Sequence, residues 1–363
     1  MNKPVMVVLA LVALVALYLL AWPVPVDPVA WNAPEDEGLT GAFSENKLLM
    51  AASSIDLGAH SGPEDVALGR DGFLYATTHG GVILKISPSG RTVSGFAKPA
   101  GRPLGIEVLR DGSFIVANAY VGVQHISPTG NVTDLLTEVN GQPLRFANDL
   151  ALAEDGTIYF SEASTKFGAD QYDGTLEGSL LDILEHGGNG QIIEFKPDTG
   201  VARIILDGLN FANGVAISDD QQYLLVAETG SYRILKHWLQ GPNAGTTEVC
   251  IDNLPGFPDN INNGLNGRFW IGLAAPRNKL LDKYADRPFI REMLQRMPAY
   301  VRPKAVPSSH VFAINGDGVV LMDLQDPSAR HPLMTGVLET RNALYLTTLV
   351  GSRLPWLDKQ NLR

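Results

Sequence analysis

One strand–turn–strand unit recurs six times along this chain, and that repeat limits the architectures open to it more than any other feature. An apolar-alternating run, a turn of the Asp-Gly type and a second β-rich run appear as EDVALGRDGFLYATTH (64–79), LGIEVLRDGSFIVANA (104–119) and NDLALAEDGTIYFSEA (148–163). The unit returns as NGVAISDDQQYLLVAET (213–229) and DNINNGLNGRFWIGLA (259–274), and more faintly as MTGVLETRNALYLTTL (334–349). More alternating runs follow each copy, such as VILKISPSG (82–90) and QIIEFKPDTG (191–200). Strand pairs of this kind, spaced by roughly 40 residues, are the signature of a β-propeller. The chain is therefore expected to be all-β, with six four-stranded blades over residues 45–363. Only three strands remain for the last blade at the C-terminus, so KLLMAASSI (47–55) is expected to supply its fourth. Joining the chain ends in this way closes the ring and removes two exposed edges.

Aligning the copies on the turn glycine exposes a polar residue in phase. Glu64 lies eight residues before Gly72, Asn148 eight before Gly156, and Asp259 eight before Gly267. Asn213 takes the same place before a longer turn, while Leu104 and Met334 fill it in blades two and six. The first strand of a propeller blade lines the central channel, so Glu64, Asn148, Asn213 and Asp259 should converge on the axis, with Asn260 as a fifth donor. Any one of them alone reads as a turn residue between blades. Four in one phase, two carboxylates and two amide carbonyls, make the hard-oxygen set that Ca²⁺ takes at about 2.3–2.6 Å. No His or Cys shares the phase, which disfavours zinc. Magnesium stays open as an alternative that demands a tighter octahedron.

Charge and the N-terminus add an address. The 28 Lys and Arg against 39 Asp and Glu give a net charge of −11, which opposes a nucleic-acid surface, since that affinity rests on basic side chains meeting phosphates. A single cysteine, Cys250, excludes an internal disulfide framework. Val5 to Trp22 carry no charge, and eighteen helical residues rise about 27 Å, close to the hydrocarbon thickness of a bilayer. Lys3 precedes this stretch and Asp27, Glu35, Asp36 and Glu37 follow it, an asymmetry that leaves the short end in the cytoplasm. A cleaved signal peptide is the rival reading, but no A-x-A-like site follows; the next residues are Pro23-Val24-Pro25-Val26-Asp27-Pro28. The expected organisation is a membrane signal anchor (1–22), a Pro-rich tether (23–44) and a propeller (45–363) on the extracytoplasmic side.

Phe146-Ala147-Asn148-Asp149, IYFSEASTKF (158–167), Phe211-Ala212-Asn213-Gly214, LLVAETGSYRI (224–234) and LPGFPDNI (254–261) resemble the strictosidine synthase-like proteins, including their adipocyte plasma membrane-associated branch. The wider superfamily of gluconolactonases, regucalcin-type proteins, diisopropyl-fluorophosphatases and paraoxonases consists of six-bladed propellers. The resemblance implies that Glu64, Asn148, Asn213, Asp259 and Asn260 hold a catalytic calcium. Gly62-Pro63-Glu64-Asp65 and Asn148-Asp149 are also similar to the paraoxonase pattern, which implies a second, structural calcium at Asp65 and Asp149. Two departures stand out. Strictosidine synthases use a glutamate near the start of the last inner strand, a place that falls here at Thr335. Paraoxonases use a histidine after the second strand of the second blade, where this chain reads FIVANAYVG (114–122).

A calcium in the channel suits hydrolysis of a small-molecule ester or lactone, because the metal polarises a carbonyl as a Lewis acid. A base must then take a proton from water. The ends of the second strands offer His79, Glu162 and Glu228 as catalytic candidates; the two glutamates read equally as outer partners that orient Asn148 and Asn213. A strictosidine synthase-like condensing enzyme and a non-catalytic binding or scaffold propeller are the alternative functions. Two inserts, 164–190 and 276–308, interrupt blades three and five on the ligand-bearing face. In the second, Phe289, Met293 and Met297 repeat at helical spacing, which predicts a helix packed over the propeller mouth.

Overall fold

The computed structural model describes residues 3–302 and 304–362; Met1, Asn2, Pro303 and Arg363 lie outside the described residues. Six four-stranded antiparallel sheets follow one another around an axis, each a meander from an inner to an outer strand. The inner strands are Val66–Leu68, Pro103–Val108, Ala147–Leu152, Ala212–Ile217, Gly256–Asn263 and Met334–Glu339. The ring closes as the sequence predicts, but with a shorter segment. Ser53–Asp56 pairs antiparallel with Arg353–Asp358, Ser53 facing Trp356 and Asp56 facing Arg353. Residues Leu48–Ala51, expected within that strand, form a 3₁₀ turn that buries Leu49 between blades five and six.

Period-two alternation explains how the blades adhere. Side chains on one face of a strand enter one interface and those on the other face enter the next. Phe114 and Val116 pack toward blade one while Ile115 and Ala117 pack toward blade three. Six apolar clusters result, one between each adjacent pair, and their members lie between 0% and 9% exposed.

Nearer the axis the blades are stapled in pairs. Asp65 in blade one accepts a hydrogen bond from the Ile106 amide of blade two (2.9 Å). Asp149 in blade three accepts one from the Val215 amide of blade four (2.9 Å). In blade five the amide side chain of Asn262 plays this part for Val337 of blade six (2.9 Å). The position that holds Asp65, Asp149 and Asn260 in odd blades holds Gly105, Gly214 and Gly336 in even ones. A Cβ on Gly105 would stand 2.7 Å from Asp149 Oδ1, and one on Gly214 would strike the Asp259–Ile261 backbone. Alternating acid and glycine therefore let the inner strands meet closely.

The inserts lie where the sequence puts them, between the second and third strands of blades three and five. Helix α1 is Lys3–Ala21 at the N-terminus, α2 is Thr175–Glu185 in the first insert, and α3 (Lys279–Lys283) and α4 (Pro288–Arg296) belong to the second. The apolar stripe of α4 does not pack as expected. Phe289 is 50% exposed, and the buried residues of the helix are Arg291 and Arg296. Arg296 reaches back to the end of α1, its Nε donating to the Trp22 carbonyl (2.6 Å) and Nη1 to that of Leu19 (3.3 Å). None of the α1 side chains is buried against the propeller, and its length and apolarity suffice to cross a membrane. The segment read as a tether is strapped down: Val29 N bonds to the Glu185 carbonyl (2.8 Å), Trp31 N to that of Ala285 (3.1 Å), and Arg277 holds the Pro34 carbonyl (2.5 Å).

The staples make a stability prediction. Asp149→Ala leaves the Leu150 and Val215 amides without their acceptor, and a buried unmet donor costs about 1–3 kcal/mol. The variant should unfold at clearly lower temperature, and Gly105→Ala should do the same by crowding Asp149. An unchanged melting temperature in both would show that the staples do not hold the blades.

Candidate metal and substrate site

In the paired register of the inner strands, residues aligned two places before Val66, Ile106, Leu150, Val215, Ile261 and Val337 form one ring. They are Glu64, Leu104, Asn148, Asn213, Asp259 and Thr335. The sixth place thus belongs to Thr335 rather than to Met334, because the turn of blade six is shorter, Val337 pairing with Leu346 where Val66 pairs with Ala76. Met334 packs in the core between blades five and six. The Thr335 hydroxyl donates to the Glu64 carbonyl (2.6 Å) and lies 2.7 Å from Thr347 Oγ1, so it braces the ring.

The structure brings the five expected donors together, all between 0% and 6% exposed. Four of their oxygens are buried without any hydrogen-bond partner: Glu64 Oε2, Asn148 Oδ1, Asn213 Oδ1 and Asn260 Oδ1. Their other atoms are committed in ways that aim those oxygens. Asn213 Nδ2 donates to Asp259 Oδ1 (2.9 Å), and Asn260 Nδ2 donates to Glu64 Oε1 (3.1 Å). A buried oxygen left unmet costs free energy, and four in one place mark a site shaped for something that accepts lone pairs. Burial and the nearby Asp259 and Asp65 charges push the Glu64 carboxyl well above its ordinary range. Burial pushes Asp259 up to about 7, against the Asn213 hydrogen bond. A cation would reverse both shifts, so the donor chemistry fits a hard cation such as calcium. Among the described residues no three His, Cys, Asp or Glu cluster as metal ligands, because three of these five donors are amides.

Asp65 and Asp149 do not share in this shortage. Asp65 accepts from Val66 N (2.8 Å), Asn262 Nδ2 (3.2 Å) and Ile106 N (2.9 Å); Asp149 accepts from Leu150 N (2.8 Å) and Val215 N (2.9 Å). Both oxygens of each carboxylate are thus engaged, Oδ2 by the amide of the following blade and Oδ1 by the next amide in its own strand. We therefore assign the pair to blade closure in place of the expected second calcium.

The three catalytic candidates separate. His79 follows the second strand of blade one and lines the central cavity with Glu64, Asn148, Asn213 and Asp259. Burial and the charge of Arg102 lower its pKa, which keeps the imidazole neutral. Glu162 and Glu228 are not brought to that cavity. Glu162 Oε1 accepts from the amides of Arg145 (2.6 Å) and Phe146 (2.9 Å). Glu228 accepts from Asn210 N (3.0 Å) and pairs with Arg233 (2.5 Å). Each fixes the backbone just ahead of its blade's Asn ligand; Asn118 does likewise for the Arg102 amide in blade two (3.0 Å). Their place as catalytic groups is thus corrected to that of positioning residues.

The cavity itself, of about 290 Å³, opens into a larger apolar chamber of about 520 Å³. Leu176, Ser179, Phe211, Asn213, Asp259, Leu333 and Leu349 border both, and α2 and α4 wall the outer one. Sequence reasoning missed Arg102. The signal was present: two places before the ring, the blades carry Gly62, Arg102, Phe146, Phe211, Phe257 and Leu333, one charge among aromatic and apolar residues.

Comparison with known proteins agrees with this architecture. Residues 148–242 match the strictosidine synthase family and 41–86 the strictosidine synthase-like N-terminal family. The adipocyte plasma membrane-associated protein of Salmo salar is 32% identical, over 93% of this chain and 84% of its own length. Strictosidine synthase-like protein 6 of Arabidopsis thaliana is 33% identical, over 86% of this chain and 83% of its own. Among solved structures, a gluconolactonase from Xanthomonas campestris superposes with a TM-score of 0.62 at 18% identity, covering 92% of this chain and 98% of that one. A calcium-binding regucalcin from Agrobacterium tumefaciens gives 0.57 at 13% identity, covering 84% and 93% respectively. Both share the fold. Six stapled blades, the motifs around Asn148 and Asn213, and relatives aligned along nearly the whole chain place this protein in the strictosidine synthase-like family, together with the adipocyte plasma membrane-associated proteins.

Proposed function

We propose that this protein is a calcium-dependent hydrolase of small-molecule esters or lactones, anchored to a membrane by α1 with the propeller on the extracytoplasmic side. The observation that carries the reading is the set of four unmet oxygens, one on Glu64 and three on asparagines, with the Asp259 carboxylate among them at a cavity that also holds a neutral imidazole. Glu64, Asn148, Asn213, Asp259 and Asn260 would hold the ion. When bound, calcium supplies Lewis-acid polarisation of a carbonyl and stabilises negative charge on its oxygen. Asn213 orients Asp259 and Asn260 orients Glu64 through their Nδ2 groups. His79 takes a proton from water at whichever ring nitrogen its neutral tautomer leaves free. The apolar walls exclude bulk water and strengthen every charge interaction inside. A strictosidine synthase-like condensation has the family match in its favour, but Thr335 sits on the axis where that chemistry uses a carboxylate, and a hydroxyl hydrogen-bonded to the Glu64 carbonyl cannot replace it. The acidic protein is expected to have no nucleic-acid partner.

Three outcomes test the reading. Asp259→Asn should weaken calcium binding and abolish turnover, while melting temperature in excess calcium changes little, because closure rests on strand pairing and blade packing. Wild-type hydrolysis rates in this variant at saturating calcium would refute the mechanism.

The second concerns pH. A carboxyl whose folded pKa is raised costs stability as it ionises, so the gain from Asp259 is full below its unfolded value near 4 and is lost as pH rises toward 7. Calcium, which binds the ionised form, should therefore raise the melting temperature more at pH 8 than at pH 5. An equal increment at both would speak against carboxylate ligands.

Third, His79→Gln should lower kcat by about a hundredfold or more, the usual worth of a positioned base. Because the imidazole pKa is lowered, the acid limb of kcat/KM should fall below the ordinary histidine range. An unaltered limb in His79→Gln would remove His79 from the mechanism.

A further inference from the structure

Arg102 is the one buried charge in the cavity to which the proposed hydrolysis assigns no part. It is 2% exposed, and its Nε and Nη1 reach no hydrogen-bond partner. No carboxylate oxygen forms an ion pair with it among the described residues. A guanidinium does not shed its proton in a protein, so it is a fixed positive charge with empty donors. Burying such a group unpaired costs several kcal/mol, a cost that persists only where something else meets it. Glu64 feels the Arg102 charge from nearby, but no hydrogen bond or ion pair joins the two among the described residues. His79 beside it is neutral, and Glu64 is engaged by Asn260 Nδ2 and belongs to the oxygen ring. With a divalent ion on the two ring carboxylates, the charges of that centre cancel and Arg102 remains in surplus.

The space around Arg102 is apolar in one direction. Phe146 and Phe211 stand at its phase in the next two blades, and beyond them Leu176, Leu180, Leu184, Leu281 and Leu294 line the outer chamber. That chamber runs to α4, where Leu294 and Gln295 precede the arginine that clasps the end of α1. A polar anchor at the axis and a chamber with a leucine-rich wall reaching α4 form one continuous path, with Asp173, Glu177, Arg302 and Lys304 also on the outer chamber's lining.

We propose that the cavity takes an anionic amphiphile: a singly charged carboxylate head bound by Arg102, with an alkyl chain extending through the outer chamber toward α4. The assignment deepens the hydrolase reading by naming its substrate class, a carboxylate-bearing alkyl ester or lactone, yet binding of the head and chain requires no turnover. Arg102 offers a planar fork of donors, the geometry that matches a carboxylate with two parallel hydrogen bonds. Blade two supplies the place because its ring position is Leu104, which gives no oxygen to the cation site and leaves that wall free for an anion site.

Calorimetry on the full chain in a maltoside detergent, using octanoate, octan-1-ol and acetate as probes, tests the proposal. Octanoate should bind roughly tenfold to a hundredfold more tightly than octan-1-ol, the worth of hydrogen bonds to a charged group. Acetate should bind more weakly than octanoate because it lacks the chain. Arg102→Gln should abolish the preference for octanoate over octan-1-ol and leave octan-1-ol binding unchanged. Arg102→Lys keeps the charge without the fork and should fall between the two, which preserves the test if the glutamine variant does not fold. Each titration is run in calcium and in EDTA. A preference that survives in Arg102→Gln and vanishes in EDTA would give the anion to the metal and overturn the proposal. Equal binding of octanoate and octan-1-ol by the wild type, or of octanoate and acetate, would overturn it as well. Loss of hydrolysis in every assay, with octanoate still bound through Arg102, would refute the hydrolase reading alone.

Discussion

Close approach of six inner strands at a common axis is the constraint on which everything else here depends. A backbone amide at that depth has no water, so each one needs a partner within the protein. The chain meets this with a two-blade unit. An acid or amide in each odd blade reaches across to an amide in the following even blade, and glycines in blades two and four make room for the odd blade that comes next. Amide staples thereby alternate around the ring, while side-chain bonds such as Asn213 to Asp259 and Thr335 to Glu64 join blades across the intervals. Blade five departs from the pattern by moving its staple two residues on, from Asn260 to Asn262. That shift frees Asn260 to turn its amide to Glu64 and its carbonyl oxygen to the axis. The function-bearing asymmetry of the ring thus grows out of one displaced structural contact.

The same scaffold explains why the site is strained electrostatically without falling apart. Glu64 and Asp259 are held in place by amide donors on one oxygen each, while the staples beneath do not depend on what occupies the axis. A propeller can therefore carry unmet oxygens as a local cost, offset by six apolar interfaces around it. Polar groups that elsewhere would be errors of packing are here separated from the core by a full strand position.

The fold was legible because its repeat is long and its alternation strict, and the ring of oxygen side chains because four of them share a phase that turn chemistry alone would not synchronise. What misled the reading was local. A shorter turn in blade six, where Val337 pairs with Leu346 while Val66 pairs with Ala76, makes a count back from the turn land on Met334 although Thr335 holds the ring position. The likeness to the paraoxonase pattern makes Asp65 and Asp149 read as ligands, although each bonds across to the next blade. Glu162 and Glu228 end strands that do return toward the mouth, yet their carboxylates fold under the loops before Asn148 and Asn213. Sequence alternation reports which face a side chain leaves from. It cannot report whether a four-atom side chain then bends to a nearer backbone amide. Arg102 was overlooked for the opposite reason: one arginine without a periodic partner carries no pattern, and only burial reveals that it lacks a counter-charge.

The segment between anchor and propeller links the two halves of this picture. A free Pro-rich segment would let α1 take any direction relative to the cavity. Here Glu185 at the end of α2 accepts from Asp27 N (2.7 Å), Arg291 of α4 joins the Leu184 carbonyl to that of Val29, and Trp31 stacks on His186 at 4.0 Å. Burial and the charges of Arg291 and Arg233 pull the His186 pKa down to about 3, so this platform stays uncharged at any ordinary pH. Both inserts that wall the outer chamber are therefore fastened to the same few residues that lead into α1. The inserts wall the chamber that opens onto the axis, and the strap ties their helices α2 and α4 together.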